Sequence, residues 1–330
     1  MLNLVKDTFR EWREDGANRL AAALAYYTTF SLAPLLVLII AIAGLVGGHE
    51  AAQTQTMAQV EDLLGAEGRE FVEGMIESAS RPATGLTATL IGVVTLLFGA
   101  LGVFGELQNS LNTIWEVKPK PAINFLDGIK RFIVKRLMSF TMVLGIGFLL
   151  LASLVLSAAI SAFAEYIGTR WPLADFWLEL INFSISFLVV TLLFAMMFKF
   201  LPEIKIAWKD VWLGAAVTSV LFSLGKFLIG LYLGRSEVGN TFGAAGSLAI
   251  LLIWIYYSAQ ILFFGAEFTQ VYANRYGSKI VPDPGMVKIT ERERAEKGIP
   301  HEKEMKKASR STERIILERS SRPGWNQGDK

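Results

Sequence analysis

Long apolar runs alternate with short polar segments along most of this chain. A bilayer core about 30 Å thick is crossed by about 20 apolar residues in a helix that rises 1.5 Å per residue. Inside lipid every backbone N–H and C=O must be hydrogen bonded within the segment, so runs of this length are predicted to be helices. Six runs are long enough to span: 20–46, 84–106, 137–163, 178–200, 211–233 and 243–272.

Composition supports this interpretation. Hydrophobic residues make up 52% of the 330 residues and mean hydropathy is +0.42, which is high for a soluble domain. We therefore predict an all-α polytopic membrane protein with six transmembrane helices in residues 1–281. From position 282 to 330 charged residues and Ser dominate, which predicts a flexible, largely disordered tail in which Thr290–Arg319 are partly helical through local charge pairs. The N-terminal residues are too charged, and the first run too long, for a cleavable signal peptide.

The basic residues orient the predicted spans. Lys and Arg concentrate in loops that stay in the cytoplasm. They are frequent before the first run, after the second, fourth and sixth runs, and sparse in the other loops. Acidic residues dominate the loop from Ala51 to Ala83. This alternation predicts that both termini are cytoplasmic and that residues 51–83 lie outside.

Two segments between the spans carry helical periodicity. Near the N-terminus, apolar residues recur at steps of three and four, at Leu2, Val5, Phe9 and Trp12. They predict a short amphipathic helix, which either lies on the inner membrane face or extends the first span. The outer loop has a similar spacing, interrupted at Gly65 and Gly68, and predicts one or two helices packed over the outer face.

Several classes of chemistry are disfavoured by residue content. The chain has no Cys, and its two histidines, His49 and His301, lie on opposite sides of the membrane in the predicted topology. No metal site, phosphate-binding loop or cofactor is therefore expected, and we predict that the protein is not an enzyme. Acidic residues nearly balance the basic residues of the tail, which argues against nucleic-acid binding. The oligomeric state does not follow from these patterns.

Charged and polar residues inside the spans are the candidate functional residues, because each is costly in hydrocarbon. Glu267, Arg19 and Glu106 are predicted at one depth near the cytoplasmic end, so Arg19 is expected to pair with Glu267 or Glu106. Lys226 lies deeper, and Pro34 should kink the first span. The full set of candidate polar or pathway residues is Asp15, Arg19, Ser31, Pro34, Glu106, Lys226, Gln260 and Glu267. A structural ion pair that fixes helix register is the competing interpretation of these charges.

The sequence also resembles a known family. Strings that carry the resemblance lie in the first span, after the second and fourth spans, and in the last two spans: Ala23–Pro34, Leu111–Trp115, Leu201-Pro202, Gly214-Ala215, Gly243–Ser247, Trp254–Ser258 and Gly265–Glu267. Over about residues 5–275 the chain resembles the YihY/BrkB family of bacterial inner-membrane proteins, formerly described as ribonuclease BN. Phe242 stands where the family pattern has Tyr. The resemblance implies six spans and a location in the inner membrane, but no settled activity.

Two functional hypotheses remain open at this stage. The first is a transporter-like protein that moves a small solute, an ion or a lipid, with membrane lipids as its surroundings. The second is a scaffold or envelope-assembly factor that acts through its outer loop and tail. A ribonuclease is disfavoured because metal-assisted hydrolysis needs several converging ligands.

Overall fold

The molecule is a bundle of long helices with short strands at one end. The structure, a computed structural model, describes residues 2–80, 102–121, 145, 174–233, 244–301 and 305. The helices are α1 (Leu2–Glu14), α2 (Ala17–Gly47), α3 (His49–Ser80), α4 (102–114), α5 (Ala174–Phe200), α6 (Trp208–Leu233), α7 (Ala244–Arg275) and α8 (Glu291–Glu296). The strands are β1 (Val117–Pro119), β2 (Ile204–Lys205), β3 (Val281–Pro282) and β4 (Met286–Lys288).

Four of the described helices are long and apolar enough to cross a bilayer: α2, α5, α6 and α7. They coincide with the first, fourth, fifth and sixth predicted runs. Most of the second run and nearly all of the third lie outside the described residues. The helical, multi-span character is therefore present in the structure, and α2 continues as a helix through Pro34.

The helices α6 and α7 pack through two reciprocal contacts between small residues. A methyl group at Gly214 would overlap the side chain of Thr269, and one at Gly265 would overlap Thr218. Each Thr hydroxyl donates to the carbonyl of the Gly four residues before it, at 2.7 Å, so no polar group is left exposed in the contact. Small residues permit the close backbone approach on which helix association in lipid depends.

Short segments from four parts of the chain meet at one end of the bundle. β1 pairs antiparallel with β4, and β2 pairs antiparallel with β3. Side chains connect the same segments: Asn112 donates to Glu203 Oε2 at 2.9 Å, and Glu203 N donates back to Asn112 Oδ1 at 3.0 Å. We call this set of segments, with α1 and α8, the end layer. It joins the ends of α4, α5 and α7 into one unit.

The first part of the predicted tail forms two strands and a short helix, and the helix lies within Thr290–Arg319, the segment predicted to be partly helical. Residues from Val281 onward form β3, β4 and α8, and the end layer includes all three. A capping box starts α8: Thr290 Oγ1 accepts from Glu293 N, and the Glu293 side chain accepts from Thr290 N. Residues 302–304 and 306–330 lie outside the described part of the chain.

The two periodic segments are helical. The N-terminal segment forms α1, which is separated from α2 by Gly16 in the left-handed region at φ 66°. It is therefore a separate helix, not a continuous extension of the first span. The outer segment forms α3, which breaks at Gly65 (φ 78°), whereas Gly68 lies within the helix.

Candidate functional site

A large apolar cavity lies between the helices. Its volume is about 790 Å³, within the range of about 300–1,000 Å³ that is typical of small-molecule pockets. Residues of α2, α3, α4, α5, α6 and α7 line it. On α2 the lining runs from Leu24 to Ala43, a distance of about 28 Å at 1.5 Å per residue. The cavity therefore extends along nearly the whole depth of a hydrocarbon core.

A few polar groups interrupt this apolar lining. Among the described residues that line the cavity, Lys226 carries the only charge. The other polar groups are amides and hydroxyls: Thr28, Gln55, Thr56, Gln59, Ser186, Ser223 and Ser258. Ser223 lies one helical turn before Lys226 on α6, so a hydroxyl and a cation are neighbours. The cavity thus offers a long apolar surface with one positively charged region.

A second polar region lies in the end layer and centres on Arg294. This residue of α8 is 1% exposed, and its guanidinium contacts the carboxylates of Asp15 and Glu116, the latter at 3.3 Å. Asp15, between α1 and α2, is 2% exposed. Burial raises the pKa of Asp15 to about 6, although the Arg294 charge opposes the shift. The pair connects the start of the chain with the segment that follows α7.

His301 adds further ion pairs beside Arg294. Its Nε2 lies 3.1 Å from Glu116 Oε1 and 3.4 Å from Glu11 Oε2, while its Nδ1 contacts Glu291. Hydrogen bonds with Glu11, and then with Glu116, raise the pKa of His301 to about 11 against the opposing effect of burial. Burial raises the pKa of Glu11, but hydrogen bonds from His301 and Arg10 hold it below its ordinary value. His301 is therefore an imidazolium at neutral pH.

Glu267 is buried beside this region. It lies in α7 with 0% exposure, and neither of its carboxyl oxygens has a hydrogen-bond partner among the described residues. The carboxyl groups of Asp15 and Glu11 are close enough to interact with it electrostatically. A carboxyl group without partners and out of contact with water is costly in its charged form.

The carboxylates around His301 do not make a good metal site. Ligand atoms of Glu11, Glu14 and His301 lie within 4.8 Å of one another, as a metal site requires. However, both ring nitrogens of His301 face carboxylates, which favours the protonated imidazolium, and a metal ligand must be the neutral ring. The arrangement is better described as an ion-pair cluster.

The structure separates several candidates that the sequence analysis grouped together. The predicted pair of Arg19 with Glu267 or Glu106 is wrong, because Arg19 is exposed and forms no ion pair with either residue in the described structure. The buried cation beside Asp15 is Arg294 instead. This residue belongs to the predicted tail and lies on α8, which follows β4 in the end layer. Glu106 is half-buried on α4.

The remaining candidates fall in different places. Lys226 lines the cavity, whereas Gln260 is not among the lining residues: its Nε2 donates to Asn18 Oδ1 at 2.9 Å, although Ala259 and Leu262 beside it on α7 do line the cavity. Ser31 is buried where Gly102 of α4 approaches α2, and Pro34 is half-buried in α2; neither lines the cavity.

Sequence reasoning missed Glu116, Arg294 and His301. Glu116 lies in the loop after the predicted second span, and Arg294 and His301 lie in the predicted tail. One local signal was present: Thr290-x-x-Glu293 between Ile289 and Ile299 is the pattern of a capped helix with apolar flanks. The partners of Arg294 had no such signal, because Asp15 is 279 residues away along the chain.

Comparisons with known proteins agree with this architecture. The family model described as "Virulence factor BrkB" matches residues 8–289. A "UPF0761 membrane protein" of Stenotrophomonas maltophilia is 30% identical over 262 residues, which cover 77% of this chain and 57% of that protein. One of Psychrobacter is 24% identical over 320 residues, covering 95% of this chain and 56% of that protein.

The chain thus spans little more than half the length of the curated relatives it matches. Their names describe membrane proteins and state no enzymatic activity. No solved structure matches the chain. Because the family model covers most of the sequence, including α2, the four short strands and α7, this chain belongs to the virulence factor BrkB family of membrane proteins.

Proposed function

We propose that this protein is transporter-like and moves an anionic amphipathic molecule, such as an anionic lipid, across or within the bacterial inner membrane. The apolar cavity with Lys226 carries the proposal. A lipid tail fits a surface of apolar side chains that follows the depth of the bilayer, and an anionic group fits Lys226 with its neighbouring hydroxyls. A small hydrophilic solute would find few polar groups along most of this path.

The proposal includes six spans with both termini in the cytoplasm. The number of membrane crossings supports this topology. One end layer contains α1, β1, β2 and β3, so an even number of crossings must separate each of these elements from the next along the chain. Between α1 and β1 the helix α2 supplies one crossing, and the predicted span 84–106 supplies the second. Between β1 and β2 the helix α5 supplies one, and 137–163 the second. The distribution of basic residues supports a cytoplasmic location of this layer.

A fluorescent-tail phosphatidylglycerol in proteoliposomes tests the proposal. The wild-type protein should expose the probe of the inner leaflet to an external quencher faster than protein-free vesicles do. Lys226→Met should reduce this rate strongly, and Ser223→Trp should reduce it by filling the cavity. Lys209→Met is the matched control, because Lys209 is an exposed Lys in the first turn of the same helix.

The scaffold hypothesis predicts a different outcome. If Lys226 only anchors the bundle, Lys226→Met should change the thermal stability in detergent and leave probe movement unaffected. Both quantities should therefore be measured on one purified preparation. Equal rates for wild type, Lys226→Met and protein-free vesicles would contradict lipid movement.

A further inference from the structure

We propose that Asp15 and Glu267 form a proton-binding pair that holds one exchangeable proton at neutral pH. The inference rests on the proposed function in one respect: if the protein moves an amphipathic anion, this pair makes the proton its coupling ion. The binding of the proton itself depends only on the geometry of the end layer.

The first argument is the position of Glu267. Its carboxyl group is fully buried in α7 and lacks hydrogen-bond partners in the part of the chain that the structure describes. An ionised carboxylate in such a place loses its hydration and gains no compensating bond, so a neutral acid is the stable form. A structural role would be served as well by an apolar residue of similar size.

The second argument is the neighbouring carboxyl group. Asp15 is almost equally buried, and its carboxyl interacts with that of Glu267. Two carboxyl groups that share a dry site cannot both ionise at neutral pH, so one proton remains on the pair. The pKa of Asp15, raised to about 6 by burial, agrees with this arrangement.

The surrounding charges make the site responsive. Arg294 contacts Asp15 from α8, while Glu11 faces the pair from α1 and Glu116 lies behind Arg294. His301 and Glu291 complete the set of charged groups packed around it. The Glu11 side chain is partly exposed, so it contacts solvent and also interacts electrostatically with the pair. When the pair gains or loses a proton, the net negative charge next to the Arg294 guanidinium changes.

The site also has the right location for coupling. Glu267 lies on α7, the helix that contributes Leu251, Ile255, Ser258 and Leu262 to the cavity lining. Asp15 lies two residues before the start of α2, which contributes the longest stretch of lining. A change in the charge of the pair therefore acts on two of the helices that line the cavity. A proton can bind to these buried carboxyl groups because, unlike a larger ligand, it needs no cavity between the side chains.

Infrared spectroscopy of the full chain in lipid tests the proton directly. Wild-type protein at neutral pH should show the carbonyl stretch of a protonated carboxylic acid, and this band should shift in D2O because the proton exchanges. Glu267→Gln should remove that contribution, while Glu203→Gln, at a hydrogen-bonded carboxylate elsewhere in the end layer, should not. Asp15→Asn should change the frequency of the band, because it removes the carboxyl group that interacts electrostatically with Glu267.

An unchanged band in both Glu267→Gln and Asp15→Asn would overturn the proposal, since the pair would then be ionised. The band can be followed in Asp15→Asn even where Glu267→Gln does not fold. A second experiment imposes a pH gradient on proteoliposomes that carry fluorescent phosphatidylglycerol. The gradient should change the wild-type rate and not that of Glu267→Gln. An exchangeable band without a gradient effect would overturn the coupling, whereas absence of probe movement at every pH would overturn the proposed function alone.

Discussion

At the scale of single residues, Arg294 organises the end layer. Its guanidinium forms ion pairs with both Asp15 and Glu116, which belong to segments far apart in the chain. A buried ion pair of this kind adds little net free energy when it is intact, because desolvation offsets the attraction. Its loss is more serious, since Asp15 is left buried without its counter-charge.

Arg294→Met should therefore destabilise the protein by about 3–5 kcal/mol, the cost of breaking one side of a buried pair. Arg292→Met is the matched control on the same helix. Arg292 is exposed and, among the described residues, forms an ion pair only with Glu296, which contributes about 0.5 kcal/mol or less. Thermal unfolding in detergent, with proteolysis of residues 281–301 as a local measure, distinguishes the two variants. Equal stability of the two would show that Arg294 is not a structural centre.

The ion pairs of His301 predict a pH dependence. Its folded-state pKa of about 11 exceeds the ordinary value of 6.5, so the native state binds the proton more tightly. The stability that His301 adds is complete below pH 6.5 and is lost as the pH rises through about 11. Amide hydrogen exchange of α8, corrected for intrinsic rates, should show more frequent opening over this range in the wild type.

The control for that measurement is available in the same chain. His301→Gln should abolish the pH dependence above pH 6.5, whereas His49→Gln, at an exposed residue of α3, should preserve it. The contribution of Asp15 falls in a separate window between its ordinary pKa of 3.8 and about 6. A wild-type slope that persists in His301→Gln would assign the effect to other groups.

Residue-level prediction from sequence located charged residues on apolar helices but failed for their partners. Hydropathy predicted Glu267 and Lys226 inside spans, and both lie on helices that are long and apolar enough to cross a bilayer. The Arg19 pairing failed because equal depth along two helices does not determine which faces meet. Arg294 was missed because a charged, polar tail looks solvated unless its strand pairing with β1 is known.

At the scale of helices, the contact between α6 and α7 depends on two glycines. Gly214→Ala or Gly265→Ala should force the helices apart and lower the thermal stability of the protein, because each new methyl meets a Thr side chain. Gly74→Ala in α3 is the control: its added methyl meets nothing within 4 Å, and Ala favours a helix over Gly by about 1 kcal/mol. Thermal unfolding in detergent measures all three variants.

A second substitution separates overlap from other causes. Thr269→Ala removes the atoms that the new methyl of Gly214→Ala would meet first, so the double variant should recover part of the lost stability. If the two effects simply add, the helices do not approach through this contact. The sequence contains both glycines, but their facing threonines follow only from the antiparallel packing of the two helices.

At the scale of the whole molecule, apolar length predicted the helices better than their assembly. A run of about 20 apolar residues has few alternatives to a spanning helix, since lipid excludes unpaired backbone. The end layer depends instead on strands of two or three residues, which are too short to carry a periodic signal. The cavity likewise arises from how six helices leave space between them, which local pattern does not determine.

The end layer and the basic residues together predict where each loop lies. Because α1, β1, β2 and β3 meet in one layer, reporter fusions after Arg136 and Lys209 should both be cytoplasmic, and a reporter within 51–83 should be external. An alkaline phosphatase and a fluorescent-protein reporter at each point give opposite signals, so each fusion contains its own control. An external signal after Arg136 would contradict six spans. Arg136 follows β1 and precedes the predicted third span, so in the six-span topology it lies on the same side of the membrane as β1 and β2.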